Sequence, residues 1–150
     1  MDAENYLGNG SHLMLDCFEC EAGTLTDPAK ITALLEEFPG KIGMNKISPP
    51  YVFRCDEQEK GGLSGVVLLA ESHMTVHTFP NESQAFVDIF SCREFNLSFA
   101  AEYLTNYFGA KRHEVKIPAQ KLNFPLHSRV AANILSANRP IQFQKERLYH

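Results

Sequence analysis

Val66-Val67-Leu68-Leu69-Ala70, then Met74-Thr75-Val76-His77-Thr78-Phe79, then Ala85-Phe86-Val87-Asp88-Ile89-Phe90 form the centre of the chain. The first is a short apolar run of the kind that makes a buried strand. The second is β-branched and alternates, and the third alternates too, so both read as strands. Pro80-Asn81-Glu82-Ser83 between them is a turn. Upstream, His12 to Phe18 mixes apolar and polar residues like a strand, and Gly23 to Thr26 turns the chain. Asp27 offers a helix N-cap and Pro28 a first helical residue. Ile31, Leu34, Leu35 and Phe38 then recur at i, i+3, i+4, i+7, one apolar face of a helix that Pro39-Gly40 should stop. Pro49-Pro50 followed by Tyr51-Val52-Phe53 reads as an edge strand, since proline cannot donate to a ladder. Asp56 to Gly62 is a charged loop.

Downstream, Asn96 caps a helix with Leu97, Ala100, Ala101, Leu104 and Phe108 on one face, closed by Gly109. Lys111 to Ile117 alternates as a last strand. Residues 118–150 hold three more prolines and a positive tail, with a short helix expected at 129–137. The sum is an α+β fold: a two-layer α/β sandwich, a mostly antiparallel sheet with two main helices on one face.

A chain of 150 residues, 44% hydrophobic and 21% charged, fits one globular domain that needs no metal or disulfide staple. Its net charge of −4 argues against nucleic acid, which calls for a basic patch. No apolar run approaches the ~20 residues that cross a bilayer, and the acidic start MDAENYLGNG is unlike a secretory leader. The expected location is the cytoplasm, with no membrane partner. Cys17, Cys20, Cys55 and Cys92 are then free thiols. Cys17 and Cys20 have CxxC spacing, but no second pair follows, so core thiols are the better reading.

Chemistry-bearing residues concentrate between Gly61 and Cys92: Ser64, Glu71, Ser72, His73, His77, Asp88 and Cys92. Gly62-Leu63-Ser64-Gly65-Val66 fails the hydrolase elbow at its last position. His73 and His77 would share a metal on a helix, but four strand residues span ~13 Å, so no metal is expected.

The run Gly62-Leu63-Ser64-Gly65 through Glu71-Ser72-His73 to His77-Thr78-Phe79-Pro80 resembles the signature of the small prokaryotic S-adenosylmethionine decarboxylases. Val87-Asp88-Ile89-Phe90-Ser91-Cys92 continues the pattern, and Gly10-Ser11-His12-Leu13 is similar to the family's first strand. The likeness covers roughly residues 8–117. It implies a proenzyme domain over residues 1–117, with 118–150 as an extension of unknown role. Ser72 would attack the Glu71 carbonyl, and His77 would drive the β-elimination that cuts the chain between Glu71 and Ser72. Ser64 matches the serine that holds the processing intermediate. A pyruvoyl group made from Ser72 would then be the cofactor, forming a Schiff base with the substrate's amine. Cys92 matches the proton donor to the carbanion left by CO2. Ser72 and His77 differ by five, so a flat strand would point them to opposite faces, and a bend at the strand start is required. The family's small members work as homodimers of cleaved αβ protomers.

Two departures touch the substrate. The family's Trp-Pro-Glu is Phe79-Pro80-Asn81 here, so Asn81 or its neighbour Glu82 must meet the ribose. The adenine stack would fall to Phe53 or Tyr51. The leading expectation is an enzyme of polyamine biosynthesis acting on S-adenosylmethionine. The alternative is L-arginine or L-ornithine, whose distal cation would need Asp56, Glu57, Glu59 or Glu82. A third reading is a non-catalytic partner subunit.

Overall fold

The computed structural model describes residues 11–55, 61–70 and 72–117. Three alternating stretches set its centre: β3 (Leu63–Leu69), β4 (Ser72–Phe79) and β5 (Gln84–Ser91), each burying every second residue. β1 (Ser11–Phe18) pairs with β5, and β6 (Arg112–Lys116) pairs with β1. The edge strand β2 (Tyr51–Arg54) follows Pro49-Pro50 as expected and pairs with β3. The sheet order is β2-β3-β4-β5-β1-β6, and every pairing is antiparallel. Beyond β2 the same edge is continued by Lys46 bridging Leu69 and by Ala70 N–H donating to Asn45 O at 2.8 Å.

Between β1 and β2 lie a one-turn helix α1 (Ala22–Thr26), where a turn was expected, and the long helix α2 (Pro28–Lys41). Asp27 caps α2 by accepting from Ala29 N–H at 2.9 Å. The helix does not stop at Pro39-Gly40. A proline near the end loses one hydrogen bond and little else, and Pro39 is buried within the last turn. The left-handed residue that ends the chain reversal is Gly43, at φ +78°. α3 (Leu97–Tyr107) follows β5, capped by Asn96 accepting from Phe99 N–H at 3.0 Å and closed by Gly109 at φ +59°.

The helices cover one face of the sheet. Leu13, Leu15, Val67, Leu69, Met74, Val76, Val87 and Ile89 meet Ile31, Leu34, Leu35, Phe38, Leu104 and Phe108 in one core. Burying a side chain of this size stabilises by about 1.5–3 kcal/mol, so this face holds the fold. Gly65 sits where α2 comes closest: a Cβ there would lie 2.7 Å from Leu35 Cδ1 and 3.1 Å from Ile31 Cγ2. Cys17 and Cys20 belong to the same core, where burial raises their thiols to about 12 and about 11, far from a reactive thiolate.

Among the described residues no helix lies on the other face. It carries Tyr51, Phe53, Leu68, Phe79 and Phe90, each more than two fifths exposed. Among the described residues no helix is long and apolar enough to cross a membrane. The helix expected at 129–137 and the extension 118–150 lie outside the described residues.

Candidate active site

The open face places the candidate residues in rows, because strand partners stand side by side across a sheet. One row runs Phe53, Ser64, His77, Phe86, Asp16, each the direct partner of the next. Within it Ser64 Oγ and His77 Nδ1 are hydrogen-bonded at 2.8 Å. Cys55 Sγ lies 3.2 Å from the same Ser64 oxygen, so a thiol, a hydroxyl and an imidazole form a chain. The sequence offered no sign of that thiol's role, because Cys55 reaches Ser64 only through the pairing of β2 with β3.

The second cluster stands at the far end of the sheet. Leu69 pairs with Ser72, so only Ala70 and Glu71 connect β3 to β4. Two-residue hairpin loops favour Asn-Gly or Gly-X, and Ala-Glu is neither. The flanking strands therefore hold this junction. Among the described residues Ser72 Oγ makes one long contact, 3.9 Å, to Met44 Sδ. Ser72 is paired across β5 with Ser91, so the half-buried Cys92 follows directly beside it. Glu71 itself lies outside the described residues.

The four expected catalytic residues thus form two pairs rather than one site. β4 pairs without interruption from Ser72 to Phe79 on its β5 side, so the bend required by the sequence reading is not there. Ser72 falls on the helix-covered side in line with Leu69 and Ser91, while His77 faces the open side. Five strand residues separate them, about 16 Å. Within one chain, His77 does not reach residue 72.

Tyr51 and Phe53 both stand on the open face, Phe53 directly beside Ser64. Glu82, on the short turn after β4, lines a groove with Asp16, Phe79, Gln84 and Phe86. Phe86 is the direct partner of His77, so this groove opens beside the Ser64–His77 pair. Asn81 is exposed on the same turn. Asp16 was missed in the sequence because it reads as an ordinary solvent-facing strand residue. Asp56, Glu57 and Glu59 lie outside the described residues. His73 stacks on Phe90 at 5.7 Å, and His12 Nε2 is hydrogen-bonded to Asp88 Oδ1 beside it. Among the described residues no three His, Cys, Asp or Glu side chains converge to hold a metal.

The described residues form an antiparallel sheet with helices on one face and a hydrogen-bonded serine–histidine pair on the other, and comparison with known proteins gives the class of protein. The family model of S-adenosylmethionine decarboxylase matches residues 11–119, and the chain belongs to that family. Similar proteins include the S-adenosylmethionine decarboxylase proenzyme of Pyrococcus furiosus, 33% identical over 103 residues, 68% of this chain and 71% of the relative. The proenzyme of the same name from Prochlorococcus marinus is 32% identical over 111 residues, 71% of this chain and 83% of the relative. Among solved structures, the adenosylmethionine decarboxylase of Aquifex aeolicus superposes with a TM-score of 0.63 at 27% identity, over 73% of this chain and 88% of that one.

Proposed function

We propose that this chain is a self-processing, pyruvoyl-dependent decarboxylase that acts on S-adenosylmethionine as a homodimer of cleaved protomers. The observation that carries this reading is the pair of clusters: Ser64 hydrogen-bonded to His77 at 2.8 Å, and Ser72 at a two-residue hairpin with Cys92 beside it. Ser72 Oγ has no strong hydrogen bond to break among the described residues, so it is free to attack the preceding carbonyl carbon. That attack turns the Glu71–Ser72 amide into an ester, with proximity supplied by the chain itself. Loss of the residue-72 Cα proton to a base then expels the Glu71 carboxylate from Cβ. Water releases ammonia from what remains, leaving the pyruvoyl group on the second chain.

His77 is the natural base, and the spacing on β4 requires that it come from a second copy. Exposed apolar side chains on this face, Tyr51, Phe53, Leu68, Phe79 and Phe90 among the described residues, support such a partner. Two sheets meeting on this face with their β4 strands antiparallel bring residue 72 of one copy toward His77 of the other. The atoms that react belong to the main chain at a hairpin end, which is approachable from either side. The same packing carries the Phe53 row and the Glu82 groove toward that residue.

The pyruvoyl group, once formed, supplies the electron sink for loss of CO2. The protein's part is to hold the substrate and to return a proton. Cys92, which follows the last residue of β5, is the group that gives that proton to the carbon that lost CO2. Phe53 or Tyr51 stacks on the adenine, and Asn81 or Glu82 meets the ribose.

A specific observation also favours the arginine or ornithine reading. Glu82 and Asp16 share a groove with Phe79 and Phe86, and carboxylates beside aromatic faces suit an organic cation. Release of ¹⁴CO2 from carboxyl-labelled S-adenosylmethionine, L-arginine and L-ornithine at equal concentration separates the two. The expected result is a preference for S-adenosylmethionine of at least about tenfold, or ~1.4 kcal/mol. The same margin for either amino acid would replace the substrate and keep the cofactor.

A further inference from the structure

Ser91 is the last paired residue of β5, opposite Ser72 on one side and Ser11 on the other. It is only 2% exposed. A buried hydroxyl costs free energy unless it is bonded, and Ser91 Oγ accepts from Arg93 N–H at 3.0 Å. That bond spans Cys92 and closes a side-chain-to-backbone turn where β5 leaves the sheet. Among the described residues the pairing ends at Ser91 on both sides, and Cys92 stands in a bend rather than in the strand. Among the described residues no side-chain hydrogen bond holds the Cys92 thiol either. The turn made by Ser91 thus encloses Cys92, and the same residue is the direct neighbour of Ser72.

We propose that Ser91 is a positioning residue for the decarboxylation, its hydroxyl holding the Cys92 turn so that the thiol meets the group made at position 72. The proposal rests on the reading of Cys92 as proton donor. Proton transfer needs heavy atoms about 2.6–3.2 Å apart, so a loosened turn acts on the chemical step rather than on binding.

Ser91→Thr keeps the hydroxyl, and Ser91→Val replaces it with a methyl in nearly the same shape. Both are expected to self-cleave to the wild-type extent, since Cys92 takes no part in maturation. Ser91→Val should then lose about a hundredfold in kcat, the scale of a 1 Å misplacement, with KM little changed. Ser91→Thr should stay within about threefold of wild type on both constants. A second readout needs no pyruvoyl group. In the uncleaved Ser72→Ala chain, the rate at which iodoacetamide alkylates Cys92, read by peptide mass, should change several-fold with Ser91→Val and not with Ser91→Thr. If Ser91→Val does not accumulate as folded protein, Ser91→Ala serves in both assays. Equal kcat and equal Cys92 alkylation for Val and Thr would overturn the proposal. A wild-type chain that never cleaves would instead sink the pyruvoyl reading, and the alkylation comparison would still decide whether Ser91 orients Cys92.

Discussion

Cys92→Ala is expected to mature into two chains as the wild type does, and then to turn over about 10²–10⁴-fold more slowly, the usual worth of a positioned general acid. The reason is positional. Cys92 follows Ser91, the strand partner of Ser72, so its thiol lies at the end of the sheet where the pyruvoyl group would form. Maturation, on the proposed account, uses the Ser72 hydroxyl and the His77 base and asks nothing of this thiol. Its loss should therefore separate the two reactions. Gel electrophoresis of the purified protein reads maturation, and ¹⁴CO2 release reads turnover. A Cys92→Ala enzyme with the wild-type rate would remove the thiol from the mechanism.

The second large effect concerns maturation. Ser72→Ala and His77→Ala chains should each remain full length when made alone, the first for lack of a nucleophile and the second for lack of a base. When the two are produced together, mixed dimers pair an intact His77 with an intact Ser72 across the open face. The His77→Ala chain, marked by a tag, should then be cut between Glu71 and Ser72. This follows from β4 itself: five residues of unbent strand put the two side chains on opposite faces and about 16 Å apart. Cleavage of His77→Ala in isolation, or none in the mixture, would contradict supply of the base by a second copy.

Local pattern was enough to place most elements. The apolar run Val66–Ala70 marks the second half of β3, the alternation in Met74–Phe79 and Ala85–Phe90 falls within β4 and β5, and Asp27, Asn96 and Gly109 cap helices as their chemistry dictates. Pro39 misled, because a proline inside the last turn removes one hydrogen bond without ending a helix. Gly23 to Thr26 was too short for periodicity to separate a turn from one turn of helix. The sheet order was not legible at all. β1 lies beside β5 across most of the chain, a pairing that no local signal encodes.

The site divided in the same way. The parity of Ser72 and His77 is readable in the sequence as a conflict, and within one chain only a bend would resolve it. The proposal of a second copy rests instead on the exposed face, which appears only once Phe53, Phe79 and Phe90 are seen on the same side of the sheet. Ser91 gave no signal, since a serine at a strand end is ordinary until its hydrogen bond over Cys92 is known. Asp16 met Glu82 only through the sheet.

The central claim is that the chain cuts itself at Glu71–Ser72 and converts Ser72. Intact mass spectrometry of the purified wild-type protein under denaturing conditions tests it most directly. The 16.9 kDa chain should be replaced by one piece of about 8 kDa ending at Glu71 and one of about 9 kDa beginning at residue 72. Because cleavage takes up water and releases ammonia, the two masses should sum to about 1 Da more than the uncut chain, against about 18 Da for plain hydrolysis. Phenylhydrazine, which traps ketones, should add to the larger piece alone. An active protein that stays at 16.9 kDa, or pieces that sum to the hydrolysis value and ignore the hydrazine, would contradict the account.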